Sequence, residues 1–277
     1  PQTAYAGLVK SLQGEWQYLQ RVLPDSSKSF QALEEAITDH FLPALFQEDT
    51  ILGHTLDLSS LPVRHAGLGI MDPIELAGPC HNTSRVATEE LVKSFRDNSP
   101  FDLIGHAEAV RKARRESRER TDVWGIAELK SVTDRATPTM ARRLNRAKET
   151  GAWLTALPET LNGTALSAEE FRDAIRMRYG LCPQHLPEKC DGCGANFTVA
   201  HAMLCKKGGL VLLRHNDVAA EWADLCSRAL TPAAVSDEPL ILSGQDTQPR
   251  VSAEGTQEDP EANRRGDVAA HWFWRRG

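Results

Sequence analysis

Cys190-Asp-Gly-Cys193-Gly-Ala-Asn-Phe-Thr-Val-Ala-His201-Ala-Met-Leu-Cys205 carries four potential metal ligands in the spacing Cys-x2-Cys-x7-His-x3-Cys. A Cys-x-x-Cys turn presents two thiolates to one ion, and a His and a Cys four apart lie on one helical face, so together they close a tetrahedron. Gly192 and Gly194 flank Cys193, where backbone amides must turn back toward the sulfurs and a Cβ would often be in the way. Four protein ligands leave no open coordination position, so the expected zinc ion holds structure and activates no water. The other reading is a set of buried free cysteines beside an ordinary helix histidine. The compact spacing favours zinc.

Upstream of this cluster the chain is helical in pattern. Leu8, Leu12, Trp16, Leu19 and Leu23 recur three and four apart and predict one apolar stripe ending at Pro24. Phe30, Leu33, Ile37, Phe41 and Leu45 predict a second amphipathic helix, which Pro43 is expected to end or kink. Residues 61–73 hold two glycines and two prolines around short apolar stretches and read as a turn-rich crossover. Helical patterning resumes from about 73 to 96 and across the following basic run. Thr137-Pro138 reads as an N-cap with proline at the first helical position, and Ser167 to Glu170 reads as a capping box.

Downstream of the cluster, a helix is expected from about 214 to 230. Residues 231–266 are rich in Pro, Ser, Gly, Gln and acids and read as a long mobile loop, and Asp267 opens a strand-like apolar piece. Trp16, Trp124, Trp153 and Trp222 sit in helical patterns and are expected in the core.

The formal charge of −6 is unevenly distributed, for residues 111–148 hold 12 Arg or Lys against 5 Asp or Glu. Arg111, Lys112, Arg114, Arg115 and Arg118 open this run, and Arg142, Arg143 and Arg146 follow. Such a run suits phosphates and would bind in a salt-sensitive way. Equally, it suits a solvated helix whose arginines pair with Glu116 and Glu119. With 277 residues, 41% of them hydrophobic, the chain can build a sizeable core. No apolar run is long enough for a bilayer and the N-terminus lacks a signal-peptide pattern, so no membrane association and an intracellular location are expected. Cys80, Cys182 and Cys226 are scattered, which fits a reducing compartment rather than a disulfide framework.

Leu61-Pro-Val-Arg-His-Ala-Gly-Leu-Gly-Ile70, Trp153 to Pro158, Phe171 to Gly180, the Cys-Cys-His-Cys cluster and Arg214-His-Asn216 follow one another in that order. In this order and spacing the chain resembles the C-terminal part of a non-LTR retrotransposon reverse transcriptase polyprotein, of the kind with a restriction-like endonuclease. The resemblance implies a mainly α fold with four regions. These are a helical thumb-like region over 1–100, a basic helical linker region over 101–180, a zinc knuckle over 181–210 and a truncated α/β nuclease-like segment over 211–277. It implies RNA or DNA as partner, bound with little sequence preference, with Arg214 and His215 among the contacts, and a nuclear location for a retroelement product.

The catalytic parts of such proteins are not matched. There is no Asp-Asp pair for a polymerase metal site. Asp267 matches the first acid of the nuclease and no acidic residue follows it before Gly277, so the nuclease set is incomplete and Asp267 is equally an ordinary strand residue. The sequence therefore points to a nucleic-acid-binding fragment or remnant with no catalytic centre of its own. A host-retained zinc-containing protein-interaction module and a decayed open reading frame are the alternatives.

Overall fold

The first helices do not use the face that the leucine spacing indicates. α1 (Gln2–Gly7) continues through a π-helical turn, Leu8–Leu12, into α2 (Gln13–Val22). A π turn holds an extra residue and so advances the inward face by one position. Tyr5 before it, Leu8 at its first position, and Gln13, Trp16 and Gln20 after it are buried, whereas Leu12, Leu19 and Leu23 are 56%, 45% and 47% exposed. The expected stripe is thus corrected: of its five residues only Leu8 and Trp16 face inward, and Leu12, Leu19 and Leu23 face solvent. The inward glutamines bind backbone instead of packing as hydrocarbon. Gln13 accepts from the Met71 amide at 2.6 Å and donates to the Gly69 carbonyl at 3.1 Å, and Gln20 donates to the Pro73 carbonyl at 2.7 Å.

The computed structural model describes residues 1–51, 53–207, 210–237 and 268–270. These belong to two units, Pro1–Gln184 and His185–Gly277. In the first unit, α3 (Gln31–Glu35) passes through a second π turn, Ala36–Phe41, into α4 (Leu42–Phe46). Pro43 stands inside this continuous path directly after the π turn, where its missing N–H removes one helical hydrogen bond and the wider turn before it accommodates the ring, so the proline does not end the helix, which continues to Phe46.

After α5 (His54–Ser59), residues 61–70 form the expected crossover around a short 3-10 turn, Val63–His65. Leu61, Ala66, Leu68 and Ile70 are buried there, and two buried tyrosines hold the carbonyls, Tyr5 donating to Leu68 at 2.6 Å and Tyr179 to Ala66 at 2.9 Å. Gly67 passes so close to Leu61 that a Cβ would stand 1.8 Å from its carbonyl oxygen, which no side chain could relieve.

α6 (Ala77–Asp97) and the 33-residue α7 (Leu103–Arg135) pack against each other as a helical hairpin. Asp102 caps α7 by accepting from the amides of Ile104 and Gly105. The caps of the next two helices are those the sequence indicates. Thr137 caps α8 (Pro138–Glu149), and Ser167 and Glu170 form a complete capping box at α9 (Ala168–Arg178). Residues on both sides of position 100 share one core, in which the rings of Tyr5 and Trp153 each lie 5.8 Å from Phe171, and Phe46 lies 5.8 Å from Tyr179. Arg176, almost wholly buried, donates to the carbonyls of Phe46 and Cys182 at 2.7 Å and pairs with Glu48 at 2.6 Å. It ties α9 to the end of α4.

The second unit contains the short α10 (Val199–Leu204) and the 20-residue α11 (Leu210–Ala229). β1 (Val235–Asp237) and β2 (Val268–Ala270) pair antiparallel, with Val235 opposite Ala270. Most of the loop expected over 231–266 lies outside the described residues, as do Asp267, Trp272 and Trp274. Among the described residues the fold is mainly α-helical, and no helix is long and apolar enough to cross a membrane.

Candidate functional site

The four cluster residues converge. One ligand atom from each of Cys190, Cys193, His201 and Cys205 lies within 4.8 Å of all the others. The first pair comes from a tight turn: the Gly194 amide donates back to the Cys190 carbonyl at 2.7 Å, and the Cys190 amide to the Ala195 carbonyl at 2.9 Å. Gly194 supplies the positive φ of +72° that this turn needs, and Gly192 runs so near Lys207 that a Cβ would meet its side chain at 3.1 Å. His201 is placed by the start of α10, where Thr198 caps the helix by accepting from the His201 amide at 3.0 Å. Cys205 follows directly after the last helical residue, its backbone N–H donating to the His201 carbonyl at 2.8 Å.

The spacing of the ligand atoms is that of a coordination shell. Cys205 Sγ lies 3.7 Å from Cys190 Sγ and 3.8 Å from Cys193 Sγ, and Cys193 Sγ lies 3.3 Å from His201 Nε2. Tetrahedral zinc–sulfur bonds of about 2.3 Å put neighbouring sulfurs about 3.8 Å apart, so these contacts are the edges of a tetrahedron that an ion of that size fits. Cys190 and Cys205 are buried while Cys193 is exposed. His201 and the backbone amides of Cys193 and Gly192 hold the Cys190 thiol down to about 6, which favours the thiolate that a metal needs. The second unit therefore contains a Cys3His metal-binding cluster.

Arg214 has a role that the sequence does not reveal. Its guanidinium donates to the Met203 carbonyl at 2.9 Å and reaches the Met203 sulfur at 3.2 Å, tying α11 to the end of the helix that carries His201. A cation at a helix C-terminus satisfies carbonyls that have no partner within the helix. His215 is exposed on α11.

In the first unit, Arg111, Arg114, Arg115 and Arg118 are exposed and stand at i, i+3, i+4 and i+7 of α7, which places them on one face. Buried Ala113 lies on the opposite face, and Arg120, also turned that way, donates to Thr83 of α6 at 2.8 Å. Of the four, only Arg115 has a carboxylate within reach, Glu119 at 3.9 Å, so the pairing that would neutralise the run is largely missing among the described residues. Lys112 is exposed beside this face, as are Arg142 and Arg146 on α8. Arg143 is half-buried, its guanidinium lying where a Cβ on Gly180 would be. Trp16 is buried and Trp153 packs on Phe171, but Trp124 and Trp222 are 45% and 59% exposed, contrary to the expectation for all four.

No protein-family model, curated protein or solved structure matches the chain. The metal cluster and the arginine face stand on their own geometry.

Proposed function

We propose that this chain is a zinc-organised binding module that carries out no reaction of its own. The closed coordination of the Cys3His cluster carries this reading. Three thiolates and one imidazole in a tetrahedron suit zinc, and four protein ligands leave no position for a reacting water.

The partner, on this reading, is RNA or DNA held through its phosphates with little sequence preference. The arginine face of α7 supports it, since four guanidiniums on one exposed face, only one of them near a carboxylate among the described residues, suit a polyanion. The resemblance to the C-terminal part of a retrotransposon reverse transcriptase polyprotein points the same way. It would make residues 1–100 thumb-like, residues 211–277 a nuclease-like segment containing Asp267, and the nucleus the place of action. A second reading, a host-retained protein-interaction module, is favoured by the apolar surface of α11, where Val218, Trp222 and Leu225 are 65%, 59% and 46% exposed.

Salt separates the two readings. Binding to a mixed-sequence oligonucleotide should fall steeply between about 50 and 200 mM salt if phosphates dominate. An absence of oligonucleotide binding at low salt would leave the protein-interaction reading in its place.

A further inference from the structure

Beyond Arg118 the arginine face of α7 continues at the same helical spacing through Asp122, Gly125 and Leu129, and here the Val63–His65 turn lies over it. Gly125 permits the approach, because a Cβ there would stand 2.5 Å from His65 Cδ2. Asp122 fixes it, pairing with Arg64 Nε at 2.9 Å and His65 Nε2 at 2.7 Å. Beside this contact, α7, α8 and the turn enclose an open cleft of about 440 Å³.

The lining of the cleft is amphipathic. Ile126 and Leu129 provide an apolar floor, Arg64, Lys130 and Lys148 surround it together with the carboxylate of Asp134, and Asn145 adds an amide. Lys130 is bound to Asp134, whereas Lys148 has no ion pair among the described residues, and the Arg64 side chain is 58% exposed despite its bond to Asp122. Past the cleft the positive charge is cancelled: Arg135 sits 3.2 Å from Asp57 and 3.9 Å from Glu128. The four arginines span about 10 Å of α7, and about 12 Å further on, past Asp122, the same helix borders the cleft.

We propose that the cleft holds the terminal nucleotide of a bound strand, its phosphate monoester between Arg64 and Lys148 and its base on Ile126 and Leu129. A charged rim and an apolar floor are what a phosphate carried on a heterocycle requires, and the volume lies within the range of about 300–1,000 Å³ usual for ligand clefts. The proposal rests on the nucleic-acid reading for the strand, while the cleft itself is tested separately with a free nucleotide.

The experiment measures fluorescence anisotropy of short oligonucleotides with 5′-phosphate, 3′-phosphate or hydroxyl ends, on the whole chain and on Lys148→Ala and Ile126→Ser. Both positions are exposed, so the fold should be kept, and circular dichroism checks it. One phosphorylated end should bind about tenfold tighter than the hydroxyl end, the worth of one charge-assisted hydrogen bond. Each variant should lose that preference and keep the remaining affinity. Equal binding of all ends, or a preference that survives both variants, overturns the proposal while leaving the arginine face standing.

If no strand binds, the nucleic-acid reading fails. Titration with adenosine monophosphate and with inorganic phosphate then decides the cleft alone. Nucleotide binding that exceeds phosphate binding and is lost in both variants sustains a nucleotide pocket; no binding, or binding indifferent to the variants, removes it.

Discussion

The phenol of Tyr179 donates to the carbonyl of Ala66 at 2.9 Å, and Ala66 is one of the few non-glycine residues with positive φ, +66°. A left-handed alanine is strained, and strain of this kind persists where surrounding contacts fix the backbone. Here the contacts are a buried phenol on one side and the Gly67–Leu61 approach on the other. The crossover that carries Arg64 and His65 is therefore held from within the core.

Replacing Tyr179 with Phe leaves the Ala66 carbonyl without its partner and should cost about 1–3 kcal/mol. Urea unfolding checks it; an unchanged midpoint would show that the hydrogen bond contributes nothing net.

Burial pushes the Tyr179 phenol up to about 12, the neighbouring Arg178 opposing the shift. The folded state holds this proton more tightly than the unfolded state, so its contribution is complete below the ordinary tyrosine range near 10 and is lost as pH rises toward about 12. Thermal melts from pH 9 to 12 should show falling stability, with less loss in Tyr179→Phe.

One zinc ion per chain is expected by elemental analysis, and Cys193→Ser should lose it. Structural zinc contributes on the order of 10 kcal/mol of apparent binding energy, so chelation should unfold the region around the cluster. Hydrogen exchange of residues 188–205 in the presence and absence of chelator reads this directly. Unchanged protection after metal removal would show that the turn and α10 hold themselves.

Changing Arg111, Arg114, Arg115 and Arg118 to Ala should lower the slope of log affinity against log salt by about three to four units on duplex DNA, near 0.9 for each phosphate that an arginine no longer neutralises. Identical slopes for the two proteins would make the face an ordinary solvated surface.

Much of the architecture is legible where local chemistry decides it. Thr137, Ser167 and Glu170 mark their helix starts because a cap is a short-range hydrogen bond, and the cluster is readable because coordination fixes its spacing. Gln13, Gln20 and Arg176 are illegible in the same way that the caps are legible. They are polar residues buried by partners 53 to 130 positions away, and only the folded chain brings those partners close. The cleft at Arg64 and Lys148 is hidden for the same reason. The arginine face is half legible: the spacing gives the face, but whether Glu116 and Glu119 neutralise it depends on side-chain placement.

The π turn at Leu8–Leu12 behaves like a one-residue insertion preserved in the structure. Deleting a single codon between Leu8 and Gln13 would bring these two residues from five to four apart, the ordinary helical spacing, so the π turn would vanish while Gln13, Trp16 and Gln20 still faced inward and the glutamines kept their bonds to residues 69–73. For this helix the extra residue thus works as a phase adapter: it lets a chain one residue too long for a regular helix keep its polar clasp on the crossover, with Leu12, Leu19 and Leu23 left on the outer face of the unit.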